Sequence, residues 1–177
     1  MITPKENRRQ KLIAASVPEK FLDAIDNSSD FEDFEYLVCY PSSAYFYLPT
    51  IQNEYSILLD YEITPIFDGC NGDTFNVMLT KENEIRFIHF ELENDEIYDD
   101  FGKKFSEMHA NLIIEWYEFS ERSLEELINH SERIGFDKAR ILLNALNLAD
   151  SKQERDTYKK DMKWRKENLE TVLGNES

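Results

Sequence analysis

The stretch 63–97, ITPIFDGCNGDTFNVMLTKENEIRFIHFELENDEI, constrains the fold of this chain more than any other part. Three runs rich in apolar residues, 63–67, 74–79 and 85–90, are separated by two short polar connections. The middle run alternates between two sets of side chains, as the two faces of a β-strand require. The first connection contains Asn71-Gly72, and both residue types tolerate the positive φ of tight turns. This pattern predicts an antiparallel meander at the centre of a sheet.

Helix signals precede the meander. Thr3-Pro4-Lys5-Glu6 combines an N-cap threonine, a proline at the first helical position and a glutamate at the third, which predicts a short helix to about residue 16. Pro18 begins a second predicted helix, 18–25, whose expected buried side chains are Phe21, Leu22 and Ile25.

The stretch 30–48 is rich in aromatic residues and is compatible with either a helix or a hairpin. Aromatic enrichment and Pro41 favour strands at 35–40 and 45–48. Residues 56–62 are expected to form a further extended run that leads into the meander.

A helix is predicted over 101–119, because apolar side chains recur there at intervals of three or four residues. This stripe consists of Phe105, Met108, Leu112, Trp116 and Phe119. Core packing explains such a stripe better than a ligand site does. The helix is therefore expected to lie across the sheet and to form an α+β layer with it.

Only helices are predicted beyond this point. Ser123 to Glu126 and Ser151 to Glu154 both match the capping-box pattern. The first opens a helix from 124 to about 130, and the second opens a charged helix that ends near 173 at Gly174. Between them, 136–150 is expected to present one apolar face made of Ile141, Leu142, Ala145 and Leu148.

The predicted fold class is therefore α+β. A central, mainly antiparallel sheet has helices packed on one side, and a helical C-terminal extension packs on that domain. The expected division places the α+β domain at 1–122 and the extension at 123–177.

Charge limits the kinds of partner. The chain of 177 residues has a formal net charge of −16, and residues 21–150 alone hold 8 basic and 28 acidic side chains, a net charge of −20. Nucleic-acid binding requires a basic surface, so this region argues against it. A basic protein partner fits the charge, although high acid content is also an ordinary means of staying in solution.

The residue pattern offers no chemistry for catalysis or for a cofactor. His89 lies in a predicted strand and His109 on the predicted main helix, and neither has metal-ligand spacing. Glu126 and His130 are four residues apart on a predicted helix, and a surface pair explains that better than a metal site. The turn 68–73 lacks oxygen ligands at its third and fifth positions, so it is not a calcium loop. Phosphate loops and nucleophile motifs are absent from the sequence. We therefore expect no enzyme activity, cofactor or metal.

The location expected from the sequence is the cytoplasm. Cys39 and Cys70 are 31 residues apart and fit neither a metal nor a redox spacing. No apolar run approaches the length of a membrane span, and the first residues lack the apolar core of a signal peptide.

The candidate partner-binding residues lie in two acidic stretches. In 91–100, Leu92, Ile97 and Tyr98 are interleaved with six carboxylates. A charge run is ordinarily a solvated loop, but apolar anchors among carboxylates are what an interface with a basic surface needs. The binding residues predicted there are Glu91, Glu93, Asp95, Glu96 and Tyr98. The second candidate stretch supplies Asp30, Glu32, Asp33 and Glu35.

The meander also resembles the core of the SUKH superfamily. The matching pattern is an apolar-Pro-apolar strand at 63–66, an Asp- and Gly-containing turn at 68–73, a strand at 75–79 and Glu91 after the next strand. Val17-Pro18 followed by Phe21-Leu22 resembles the start of the family's first helix. The resemblance covers about 17–121; the Gly-Gly pair often seen after the first helix is missing, and the last 50 or so residues have no counterpart.

Many SUKH members are bacterial immunity proteins. The resemblance therefore implies an antitoxin that binds and neutralises the toxic C-terminal domain of a polymorphic or contact-dependent growth inhibition toxin, with a nuclease as one expected kind. Two other classes stay open. One is an intracellular regulatory or scaffold protein that binds a basic cellular partner through the same fold. The other is an enzyme acting on a cationic or sugar substrate, which the missing motifs disfavour.

Overall fold

The computed structural model describes residues 1–27, 38–69 and 71–174. Its elements, in chain order, are α1 (Lys5–Ala14), α2 (Glu19–Asp26), α3 (Ser42–Ile51), a 3₁₀ turn (Ser56–Leu58), β1 (Glu62–Asp68), β2 (Thr74–Lys81), β3 (Glu84–Glu91), β4 (Ile97–Asp100), α4 (Phe105–Phe119), α5 (Leu124–Arg133), α6 (Ala139–Ser151) and α7 (Tyr158–Leu173). The predicted α+β class is confirmed.

The sheet contains the three strands of the predicted antiparallel meander and a fourth strand, β4, that was not predicted. Its four strands neighbour one another in chain order, β1-β2-β3-β4. In the two-residue β2–β3 turn, Glu82 and Asn83 both have positive φ, 51° and 68°. This is the backbone of a primed turn, whose twist matches that of the flanking strands. Gly72 has φ 76° in the first turn, where a side chain would be strained.

Helices cover both faces of this sheet, so the expectation of helices on one side is wrong. On one face, Phe75 and Phe90 are opposite each other in the register, and they form a buried cluster with Ala44 and Leu48 of α3. On the other face, Phe105 of α4 packs edge-on against Phe87. Both faces of β2 are buried: Asn76 and Met78 on one face are buried, as are Phe75, Val77 and Leu79 on the other.

The predicted strand at 45–48 is also wrong, because these residues lie in α3. The N-terminus of that helix is capped by a side chain that is distant in the sequence. Asp68, at the end of β1, accepts hydrogen bonds from the backbone N–H groups of Ser43 (2.7 Å) and Ala44 (3.3 Å). A carboxylate at a helix N-terminus satisfies donors that the helix leaves unpaired. This cap overrides the local preference of the aromatic residues for strands.

Two other predicted extended runs differ from the structure. In the predicted strand 35–40, residues 35–37 lie outside the described residues, and Cys39 forms only an isolated bridge with Asp68. In the run 56–62, Ser56–Leu58 is a 3₁₀ turn, and β1 begins at Glu62.

At the N-terminus, α1 begins at Lys5 without the predicted threonine cap. The Thr3 hydroxyl instead shares a hydrogen bond of 2.8 Å with the Thr64 hydroxyl of β1. The second predicted helix is confirmed as α2, in which Phe21, Leu22 and Ile25 are buried as expected.

The chain forms two compact units, 1–108 and 109–177, and the second consists of helices. The capping box at Ser123 and Glu126 is present and opens α5 as predicted. The second predicted box is not formed: Ser151 is the last residue of α6, and Thr157 caps α7. The apolar face of α6 is also rotated, since Leu142, Leu143 and Leu146 are buried whereas Ile141 and Leu148 are exposed.

A buried cation organises the second unit. The side chain of Arg155 is only 3% exposed and pairs with three carboxylates. These are Asp150 (3.3 Å), Asp161 (2.6 Å) and Glu118, and the guanidinium also lies 5.4 Å from the centre of the Trp164 ring. The four partners come from α4, α6 and α7, so one side chain ties three helices together. Loss of Arg155 would remove the cation that pairs with Asp150 and would leave Glu118 and Asp161 with Arg165, which lies 3.0 and 2.6 Å from them. Removing one partner of a largely buried ionic network is destabilising.

None of the helices among the described residues combines the length and the apolar character that a membrane span requires.

Candidate protein-binding surface at the β3–β4 turn

The acidic stretch 91–100, called here the acidic edge, is more ordered than the loop expected from the sequence. Glu91 is the last residue of β3, a five-residue turn follows, and Ile97–Asp100 is β4, the strand at one end of the sheet. The five predicted residues of this stretch are therefore brought together on one sheet edge. The other four, Asp30, Glu32, Asp33 and Glu35, lie outside the described residues.

The turn of the acidic edge is held in place by the segment before β1. The Asp95 carboxylate accepts hydrogen bonds from the backbone N–H groups of Ser56 (2.8 Å) and Ile57 (3.1 Å). These hydrogen bonds, that of Ser56 first, lower the pKa of Asp95 from its ordinary value. The Tyr55 hydroxyl donates to the backbone carbonyl of Leu92. Asp95 therefore caps the 3₁₀ turn, a structural role that sequence reasoning did not foresee.

Two apolar side chains of the acidic edge anchor it further. Leu92 and Ile97 are partly buried and pack against the cluster between the sheet and α3. The apolar residues noted in the sequence thus divide into two groups: Leu92 and Ile97 face the core, and Tyr98 faces solvent with 51% of its surface exposed.

The carboxylates of the acidic edge differ in how far they are neutralised. Asp100 makes a two-pronged salt bridge with Arg86 (2.7 and 2.9 Å), and this contact lowers the pKa of Asp100. Asp99 lies 3.2 Å from Nδ1 of His89. Glu93 and Glu96 are exposed, and neither makes a hydrogen bond or ion pair with a described residue. These two carry the charge most readily available to a partner.

Tyr98 is fixed by its neighbours although its ring is exposed. Asn94 Nδ2 donates to the Tyr98 hydroxyl oxygen at 3.0 Å. A hydrogen bond with the Glu91 carboxylate raises the pKa of Tyr98. An aromatic ring held in one position loses little conformational entropy on binding, which suits it as an interface anchor.

Sequence reasoning missed the residues that support this surface, namely Tyr55, Arg86 and His89. Tyr55 and its partner Leu92 are 37 residues apart, so no local spacing signals their contact. The roles of Arg86 and His89 could have been found by pairing 97–100 with β3 as a fourth strand. In the observed register that pairing places Arg86 near Asp100 and His89 beside Asp99.

A groove of about 460 Å³ lies beside the β2–β3 turn, and its basic side chains are already paired with acids. Its basic side chains are Lys81, Arg86 and Lys103, and each contacts an acid: Asp60 at 3.5 Å, Asp100 at 2.7 Å and Glu84 at 3.2 Å respectively. Within residues 1–27, 38–69 and 71–174, no group of three or more His, Cys, Asp or Glu side chains is placed to hold a metal ion.

Comparison with models of protein families, with curated proteins and with solved structures found no match to this chain. The residues themselves define an α+β protein with a tethered, exposed and strongly acidic sheet edge.

Proposed function

We propose that this protein is an immunity protein, a cytoplasmic antitoxin that binds and neutralises the toxic C-terminal domain of a polymorphic or contact-dependent growth inhibition toxin. The observation that carries the proposal is the acidic edge, where six carboxylates and an exposed tyrosine are presented on a tethered strand and turn. The resemblance of 17–121 to the SUKH superfamily adds the biological class.

The charge of the edge indicates the kind of toxin that it would bind. Nucleases bind phosphates through basic clefts, so an acidic edge is electrostatically complementary to such a cleft. A nuclease domain is therefore the favoured partner. Occluding the cleft, or a face beside it, would block catalysis without any chemistry by the antitoxin.

Glu93 and Glu96 are the side chains with which to test this binding surface. Reversing both to lysine changes the charge by four units and leaves the Asp95 cap intact. Asp95 belongs outside the set, because its replacement would also release the 3₁₀ turn. The matched control is Glu154→Lys with Glu170→Lys, which makes the same charge change at two exposed positions of the second unit.

The experiment is a pull-down with the C-terminal domain of the toxin encoded directly upstream, together with a growth assay in cells that express that domain. Wild type and the control pair are expected to bind and protect. The Glu93→Lys and Glu96→Lys pair is expected to bind at least about tenfold more weakly, since like charges meet at the interface. Its melting temperature is expected to stay that of wild type.

The possible outcomes test the position of the binding surface and the immunity function separately. Equal binding by both pairs places the interface elsewhere. If wild type neither binds the upstream domain nor protects cells, the immunity proposal fails. An unrelated neighbouring gene and a basic cellular protein in the complex would then favour the regulatory or scaffold alternative.

A further inference from the structure

The outer side of β4 is an open sheet edge. β1, at the opposite end of the sheet, has additional pairings on its outer side, with Ile2 at Ile63 and with Cys39 at Asp68. β4 pairs with β3, and on its other side it has no strand partner within the described parts of the chain. Alternate backbone N–H and C=O groups along such a strand point away from the sheet and can pair with another strand.

The charges on this edge select what can pair there. Residues 91–100 contain six carboxylates and no lysine or arginine. A second copy of the same edge would bring six more carboxylates alongside, and like charges on adjacent strands oppose pairing. A strand with lysine or arginine would instead meet complementary charge. The charge of this edge therefore disfavours pairing with a second copy and favours pairing with a lysine- or arginine-rich strand.

We propose that β4 binds an extended, lysine- or arginine-rich segment of a protein partner, which adds to the sheet as a fifth strand. This inference rests on the proposed function and specifies how the toxin would be held: backbone hydrogen bonds supply part of the affinity, and side-chain charges supply the selectivity.

Two features of the edge fit strand addition. The turn before β4 is already held by Asp95 and Tyr55, so pairing would require little further ordering of the chain. The exposed ring of Tyr98 lies on β4 itself, where it can cover the aliphatic part of a lysine or arginine side chain from the added strand.

The test uses the full-length chain and a synthetic ten-residue peptide of alternating lysine and threonine, which is soluble and favours extended structure. Amide hydrogen exchange is measured by NMR with and without the peptide. We expect amides of 97–100 that exchange freely in the unbound protein to slow by about tenfold or more at saturation, because they become ladder donors.

Three matched comparisons separate strand addition from simple charge attraction. The same peptide with alternate backbone nitrogens methylated keeps its charge but cannot complete a ladder, and it is expected to lose the protection. A glutamate–threonine peptide is expected not to bind. The Glu93→Gln and Glu96→Gln pair is expected to weaken binding of the lysine peptide about fivefold or more, whereas Glu154→Gln with Glu170→Gln is expected to leave it unchanged.

Strand addition is overturned if the lysine peptide does not bind, if it binds without protecting amides of 97–100, or if the methylated peptide protects them equally. The immunity proposal is judged separately, by the upstream toxin and cell survival. A toxin that is bound and neutralised while the amides of 97–100 stay unprotected would refute the fifth strand alone.

Discussion

Asp68 gives this protein a pH-dependent stability that a single substitution should remove. Asp68 is only 2% exposed, and burial raises the pKa of its carboxyl group from 3.8 to about 6. Hydrogen bonds from the Ser43 and Ala44 N–H groups and the charge of Arg8 act in the opposite direction. The perturbation is Asp68→Asn, which does not titrate and keeps one oxygen to accept hydrogen bonds from the start of α3.

The direction in which stability changes with pH follows from which state, folded or unfolded, holds the proton on Asp68. Between pH 3.8, the ordinary value, and about pH 6, the folded protein keeps a proton on Asp68 that the unfolded chain releases. The folded state then binds more protons, so stability falls as the pH rises through this window. A shift of about two pKa units corresponds to about 3 kcal/mol, since each unit is about 1.4 kcal/mol.

The assay is urea unfolding of wild type and the asparagine variant at intervals from about pH 4 to about pH 8. Taking the difference between the two proteins removes the contribution of all other titrating groups. We expect wild type to lose about 2–3 kcal/mol relative to the variant across this range. Parallel pH profiles would refute the reasoning. A difference that changes in the opposite direction would mean that Arg8 and the N-terminus of α3 outweigh burial.

Three further predictions concern the second unit and the binding rate. Arg155→Met should lower the free energy of unfolding by about 1–3 kcal/mol in urea titrations, because Asp150 loses its cation while Glu118 and Asp161 keep Arg165. The exposed Lys152→Met is the control, and equal effects of the two would contradict the network. Trp116→Ala should cost roughly 3–5 kcal/mol by the same measurement, since its side chain is buried in α4. A loss below about 1 kcal/mol would show that the ring contributes little packing. The on-rate for a basic toxin domain should fall about tenfold or more when salt rises from about 0.05 to about 0.5 M, measured by stopped flow. A salt-independent rate would remove electrostatic steering.

The parts of the fold that the sequence predicted are those whose signals are local. The meander followed from alternating apolar residues and from turn residues beside them, such as Gly72. The capping box at Ser123 and Glu126 likewise involves side chains three residues apart. These interactions form within one strand or one helical turn, so a short window of sequence contains both partners.

The incorrect predictions involve partners that lie far apart in the chain. The helix α3 begins where Asp68, 25 residues away from Ser43, provides a cap, and aromatic propensity alone favoured a strand there. The capping box expected at Ser151 is a local exception: Ser151 is the last residue of α6, and Thr157 caps α7 instead. In the acidic edge, composition indicated the cluster of carboxylates. It did not reveal that Asp95 has a structural role while Glu93 and Glu96 have no partner among the described residues, because the role of Asp95 depends on Ser56 and Ile57.

The order of the strands has a consequence for how quickly the protein reaches its working form. The connections β1–β2, β2–β3 and β3–β4 span five, two and five residues, so each pairing joins neighbouring segments of the chain. Bringing such neighbouring strands together costs little loop-closure entropy. Sheets of this kind therefore form faster than sheets built from strands that are remote in the chain. A toxin that acts catalytically damages the cell for as long as it is unbound. For the antitoxin proposed here, a sheet that assembles soon after synthesis would shorten the time during which newly made protein offers no protection.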